Sequence, residues 1–333
     1  MYMSIRTCHS LHVEGEAGGG TPMSEVHTPR AVPAAGARTV VLVGATSGIG
    51  WQAARQLAAR GHRLLFVGRD ERRGRRLAAA LARHPGGAEF IPGDVSTLAG
   101  IEAVAGRIGE RTDRVDTLLN NAGVMVPRRR LTAEGIELNF AVHHLAPYST
   151  TGLLLPLLAR GEGRVVNTNS EGHRATLSGG RVELDFADLQ SERGYQMFLA
   201  YSRTKLANLL FTHEFQRRNP RFTMVALHPG MVRTRLVRGL RNPALWLFNR
   251  TARYLLASPA RGARPLVHLA TAPEVMPGRY YDRFTPVAPS AQSLDREAAA
   301  RLWEITEELR GPFPRTGLGG RPARRGTGPA GGA

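Results

Sequence analysis

The feature that most limits what this chain can fold into is an apolar run that empties into glycines and then into a helical pattern. Thr39-Val40-Val41-Leu42-Val43 is rich in β-branched residues and has no polar alternate. A strand apolar at successive positions is buried on both faces, as in a parallel sheet. It runs into Gly44-Ala45-Thr46-Ser47-Gly48-Ile49-Gly50, and a helical pattern follows from Trp51 to Arg60. The unit then recurs. Strands are expected at 63–67, 88–91, 115–119, 164–168 and 222–227. Between them lie an Arg-rich helix ending near Arg83, helices at 96–110 and 132–158, and a helix carrying Tyr201. This alternation predicts an α/β fold, a doubly wound parallel sheet of the Rossmann type. Ligands of such a sheet sit outside the carboxyl ends of its strands, where the loops between these elements fall.

Composition sets the outer bounds. Residues 1–37 and 312–333 are dominated by Gly, Pro, Ala and polar residues without apolar periodicity, so both are expected to be disordered. Residues 38–311 then form a single domain. Cys8 is the only cysteine, which excludes an internal disulfide framework or a cysteine metal site, and no metal is expected. A lone cysteine suits a reducing cytoplasm. The amino terminus has no apolar core of a signal peptide, and no run approaches membrane-spanning length, so no membrane span is expected. Translation could begin at Met1 or at Met23.

The net charge is +18, with Arg72, Arg73, Arg75 and Arg76 clustered and Arg128-Arg129-Arg130 consecutive. A nucleic-acid surface would explain that charge, and so would ordinary solvated arginines. Aromatic residues are only 6% and no nucleic-acid-binding signature is present, so no nucleic-acid partner is expected.

Among so many arginines, Lys205 is the only lysine. An ammonium is a compact point charge with rotatable donors, whereas a guanidinium is a planar fork unsuited to the same pocket. Lys205 falls four residues after Tyr201, so on a helix the two share a face. A cation beside a phenol stabilises the phenolate and lowers its pKa, which points to proton transfer. Chance placement is the bland alternative. The loop from Gly44 to Gly50 has a similar ambiguity: it fits a pyrophosphate at a helix N-terminus, and glycines also close ordinary turns.

Taken together, Gly44-x-x-x-Gly48-x-Gly50, Asn120-Asn121-Ala122-Gly123 and Tyr201-x-x-x-Lys205 resemble the short-chain dehydrogenase/reductase family. A finer resemblance is to its retinol dehydrogenase-like group, through Thr132-Ala133-Glu134-Gly135-Ile136-Glu137, Tyr201 to Asn208, His228 to Thr234, and Leu302-Trp303-Glu304. The resemblance implies hydride transfer between a nicotinamide and an alcohol or carbonyl. It implies that Tyr201 is the general acid/base, that Lys205 lowers its pKa and holds the nicotinamide ribose, and that Ser170 hydrogen-bonds the substrate oxygen. By itself Ser170 reads as a turn or cap residue. Gly44, Ser47, Gly48, Ile49 and Gly50 would hold the pyrophosphate, and Asp94 and Val95 would meet the adenine. Asn121, Ala122 and Gly123 would line the adenosine side, while Pro229, Gly230, Val232 and Thr234 would close over the nicotinamide.

At the tip of the second strand an acidic residue would select a free ribose 2′-hydroxyl. Here the tip is Gly68 followed by Arg69, which suits a 2′-phosphate, so NADP(H) is expected over NAD(H). An ordinary exposed arginine is the alternative. One position departs from the family pattern. Phe140-Ala141-Val142-His143-His144-Leu145 has His143 where the family carries a catalytic asparagine. In the family that residue helps hold a water linking the lysine to solvent, largely through its backbone carbonyl. The substitution leaves two readings, an enzyme with altered proton exchange and a cofactor-binding regulator or scaffold with reduced or lost catalysis. Leu240, Leu245, Trp246, Leu247 and Phe248, within the 231–258 flap region, would cover a lipophilic substrate or complete a core or subunit contact. By resemblance, a homodimer or homotetramer would pair through the long helix and the Tyr201 helix.

Overall fold

The computed structural model describes residues 36–175, 179–233 and 256–314. The tails expected to be disordered, Thr234 and the apolar cluster from Leu240 to Phe248 lie outside the described residues, except for the innermost tail positions.

The strands are β1 (Thr39–Val43), β2 (Arg63–Gly68), β3 (Ala88–Pro92), β4 (Thr117–Asn120), β5 (Arg164–Thr168), β6 (Thr223–His228), β7 (Tyr280–Asp282) and β8 (Thr285–Val287). They form one sheet in the order β3-β2-β1-β4-β5-β6-β7-β8, parallel throughout except for the last pair. The order reverses between β1 and β4, the switch point at which doubly wound sheets bind ligands.

Helices α1 (Gly48–Ala59), α2 (Glu71–Leu81) and α7 (Pro259–Thr271) cover one face, and their Leu57, Leu77 and Leu266 meet Val40 and Leu42. Helices α3 (Leu98–Gly109), α5 (Ala146–Arg160) and α6 (Met197–Arg218) cover the other, where Ile101, Leu154 and Phe215 meet Val41 and Val43. The continuous apolar character of β1 thus reflects burial on both sides. Neither α7 nor the β7–β8 hairpin was anticipated, because their short apolar runs carry Pro, Arg and Tyr. Helix α8 (Arg296–Arg310) lies over α6, with Trp303 against Phe211 and Tyr148. Phe313, beyond the boundary expected at Gly311, is buried against Tyr148, Phe215 and Trp303. Much of the α5 and α6 surface expected to pair with a second subunit is therefore covered by the chain itself.

The helix expected from residue 132 begins instead at Leu138. Thr132 N–H donates to the Ile136 carbonyl and Gly135 adopts φ +76°, closing a tight turn that the apolar spacing had mimicked as helix. Glu137 then caps α4 (Leu138–Phe140) by accepting the Phe140 N–H at 2.8 Å. Between α4 and α5 the backbone widens into a π-helical turn over Ala141–Leu145, a rare geometry that gathers at functional sites.

Candidate active site

The carboxyl ends of β1, β4, β5 and β6 converge on one side of the sheet. There the glycine loop folds back on its neighbours. Gly44 and Ala45 N–H groups both donate to the Val67 carbonyl, and Asn121 Nδ2 donates to the Gly44 carbonyl at 3.0 Å. A side chain at position 50 would meet that carbonyl at 2.1 Å and Asn121 Nδ2 at 2.7 Å, so only glycine lets α1 start this close to the strand. Ser47 is the exposed N-cap of α1 and makes no side-chain cap bond, which leaves the first N–H groups of the helix for an anion. The loop could therefore take a dinucleotide pyrophosphate, which Ser47, Gly48 and Ile49 would hold.

Around this loop the other expected cofactor residues are arranged with differing freedom. Arg69 Nη1 lies 3.8 Å from the Asp94 carboxylate, both side chains being about half exposed (56% and 49%) at the β2–β3 edge. Val95 is buried in the core, so only its backbone can face an adenine. Asn121 is fixed from below by Thr168 Oγ1 at 3.2 Å, with Ala122 and Gly123 following it. Pro229 and Gly230 follow β6, while Val232 turns its side chain against Gly262 of α7.

Tyr201, Ser170 and Lys205 meet between β5 and α6. Ser170 is the N-cap of a 3-10 turn, Glu171–His173, and its Oγ accepts the Gly172 N–H at 3.1 Å. The hydroxyl proton remains free to be donated, and Ser170 Oγ and the Tyr201 ring flank Gly172 together. Lys205 Nζ donates to the Thr168 carbonyl at 3.0 Å and lies 5.7 Å from the centre of the Tyr201 ring. Burial pushes the ammonium pKa down to about 7.

The expectation that Lys205 depresses the Tyr201 pKa is not met in this arrangement. Burial raises the tyrosine pKa, and only the Ser170 hydroxyl opposes it. The physical reason is the direction of the ammonium, which is aimed at the Thr168 carbonyl.

His143 sits edge-on to Tyr201, ring centres 5.3 Å apart. Its Nε2 accepts the Val124 N–H at 3.0 Å, so the neutral ring must carry its proton on Nδ1, which donates to Thr204 Oγ1 at 2.8 Å. Thr204 passes the chain on to the Tyr201 carbonyl, also at 2.8 Å. Burial, helped by the Lys205 charge, holds the imidazole pKa well below its ordinary value. The His143 carbonyl, expected to hold a water, accepts Asn208 Nδ2 at 2.9 Å on one of its two lone pairs.

Two asparagines that the sequence reading passed over complete the frame. Asn169 donates to the Lys205 carbonyl and to Asn208 Oδ1, and its own Oδ1 accepts the Ser170 N–H at 2.7 Å. Both are buried, Asn169 just past β5 and Asn208 within the polar stretch of α6, and their partners lie far along the chain.

Residues 38–181 match the family model for short chain dehydrogenases. Human retinol dehydrogenase 13 is 35% identical over 294 residues, spanning 82% of this chain and 85% of its own length. DnrU of Streptomyces sp. (strain C5), named as a candidate daunorubicin C-13 ketoreductase, is 38% identical over 275 residues, spanning 81% and 91%. Among solved structures, an uncharacterized protein from Mycobacterium paratuberculosis has a TM-score of 0.66 at 32% identity, over 85% of this chain and 97% of its own. The chain belongs to the short-chain dehydrogenase/reductase family, in its retinol dehydrogenase-like group, and is an oxidoreductase acting on CH–OH/C=O groups.

Proposed function

We propose that this protein is an NADP(H)-dependent oxidoreductase of bulky, apolar alcohols or carbonyl compounds, with Tyr201 as its general acid/base. The observation that carries the reading is the meeting of Tyr201, a hydrogen-bonded Ser170 and a buried Lys205 beside a glycine loop open to a pyrophosphate. When bound, the nicotinamide supplies or accepts the hydride. The rest falls to side chains of this chain. In the reducing direction the Tyr201 phenol gives its proton to the carbonyl oxygen as negative charge develops there. Ser170, its lone pair already engaged by Gly172, donates its own hydrogen bond to the same oxygen.

The raised pKa of Tyr201 suits a proton donor at neutral pH. Lys205, with a pKa near 7, is suited to restoring the phenol proton and to binding ribose hydroxyls.

Coenzyme choice rests on Gly68 and Arg69. A side chain at position 68 would press to 2.4 Å from Thr46 Cγ2, so the position where an acidic residue would select a 2′-hydroxyl is closed. Arg69, held only by a solvent-exposed pair with Asp94, is available to a 2′-phosphate. The apolar substrate class is supported by relatives named for retinol and for a daunorubicin ketone.

The test is a panel of aldehydes and ketones with NADPH or NADH, run beside Tyr201→Phe and Arg69→Asp. NADPH should be oxidised in preference, and Arg69→Asp should reverse that preference. NADPH binding without turnover on any carbonyl would leave only the cofactor-binding reading. Better use of NADH by the unaltered protein would remove the role given to Arg69.

A further inference from the structure

The turn that carries Ser170 is tied to a segment more than a hundred residues later in the chain. His173, three residues after Ser170, has no solvent exposure. Its Nε2 accepts the Ser290 N–H at 3.1 Å. A backbone N–H can only donate, so the neutral ring carries its proton on Nδ1. That proton is donated to the Ser170 carbonyl at 2.7 Å. Tyr280 of β7 packs edge-on against the imidazole, ring centres 4.8 Å apart, and its hydroxyl donates to Glu171 Oε1 at 2.6 Å. Arg174 closes the other side by binding both Glu171 and the Ala288 carbonyl. The 3-10 turn is therefore gripped along its whole length by β7 and the segment before α8.

From this geometry we propose that His173 is a positioning residue for the reaction. It fixes the backbone of Ser170 so that the Ser170 hydroxyl stays directed at the oxygen that Tyr201 protonates. The proposal rests on the role given to Ser170 above. His173 itself touches neither substrate nor coenzyme; its effect reaches the reaction through one carbonyl. A short 3-10 turn has little stiffness of its own. A loose Ser170 would bind the ground-state carbonyl almost as well yet fail to meet the developing charge, so the loss should appear in kcat rather than KM.

The experiment uses the full chain with NADPH and the best carbonyl from the panel. His173→Ala should lower kcat by about tenfold or more, with KM and the NADPH dissociation constant, read by fluorescence titration, changed less than about twofold. His173→Asn places an amide N–H near the site of Nδ1 and should recover much of the lost kcat. His173→Gln reaches only toward Ser290 and should recover little. In the Ser170→Ala background, His173→Ala should cost almost nothing further, because the two act as one unit. Should His173→Ala not fold, the Asn and Gln variants and their combinations with Ser170→Ala carry the same comparison. Equal recovery by Gln and Asn, or fully additive losses in the double variants, would overturn the proposal while leaving Ser170 in place. Unchanged turnover in Ser170→Ala alone would overturn the role of Ser170 and the brace with it.

Discussion

The two ends of the sheet solve opposite problems with different chemistry. At the amino ends of β1, β4 and β5 the polar groups are charged and paired. Arg164 Nη1 donates to the Leu269 and Ala272 carbonyls, and Arg38 Nη1 to those of Ala270 and Ala272. Two guanidiniums thus cap the negative end of α7, where a cation is favoured. Arg38 is also bridged to Glu162, and Asp116 takes the Thr39 N–H. At the carboxyl ends the side chains packed around Tyr201 are amides, hydroxyls and an imidazole, and the titratable groups among them are pushed toward neutrality. Lys205 is lowered to about 7, Tyr201 is raised, and His143 is lowered. Permanently charged arginine serves the end that must hold still. The one lysine is placed where the proposed reaction needs a proton to be able to leave.

Activity and stability should therefore separate between the two ends. The largest effect is expected for Tyr201→Phe, which removes the proposed proton donor and should reduce turnover by about 10³-fold or more, toward the upper part of the range for general acid catalysis. Its melting temperature and NADPH affinity should stay near those of the unaltered protein. Retained turnover would mean that another group delivers the proton. At the opposite end, Arg164→Met strands the Leu269 carbonyl in a buried site, leaves Ala272 with Arg38 alone, and should cost about 1–3 kcal/mol of stability. Activity per folded molecule should not change. Denaturant unfolding beside a turnover assay reads both quantities, and a fall in kcat at unchanged stability would break the division.

What could be read from residues alone follows the same line. The parallel strands, the glycine loop and the Tyr201–Lys205 spacing were legible because each depends on local pattern, burial on two faces or one helical turn. The turn at Thr132–Gly135 was not, since its apolar spacing matches a helix while a left-handed glycine breaks it. Nor could the direction of Lys205 be read. Two residues one helical turn apart share a face, but the Thr168 carbonyl, brought in by β5, decides where the ammonium points. Asn169, Asn208 and His173 act through partners distant in sequence, so no local pattern announces them.

A smaller effect follows from Lys205 alone. Its folded pKa, about 7, lies below the ordinary 10.5, so between those values the unfolded chain binds more protons than the folded one. Stability should then rise with pH from 7 upward, because the cost of burying the ammonium is present in full below pH 7 and is relieved as the folded group loses its proton. The usable window closes near pH 10, where the raised pKa of Tyr201 begins to act in the opposite direction. Lys205→Met removes the titration. Its melting temperature should exceed that of the unaltered protein near pH 6, and the gap should narrow toward pH 10. Parallel curves across that range would show that the ammonium is better solvated than its surroundings suggest.

The smallest change is expected for His143→Asn, which restores the residue usual in the family. The imidazole now spans from the Val124 N–H to Thr204, and a shorter amide can keep only one of those bonds at full quality. The carbonyl bonded to Asn208 belongs to the backbone and should persist. Turnover should therefore change only a few-fold, on the scale of about one neutral hydrogen bond. Burial and the Lys205 charge hold the imidazole pKa well below its ordinary value, which favours the neutral ring. Any shift in the pH profile of kcat must then come through Lys205, as a displaced limb near pH 7, and not as the loss of an ionisation belonging to His143. Profiles of the two proteins, recorded from pH 5.5 to 9 and fitted for the number of ionisations, separate these outcomes. One ionisation fewer in the asparagine variant would mean that the histidine takes part in proton transfer and that the carboxyl end holds a second titrating group beside the lysine.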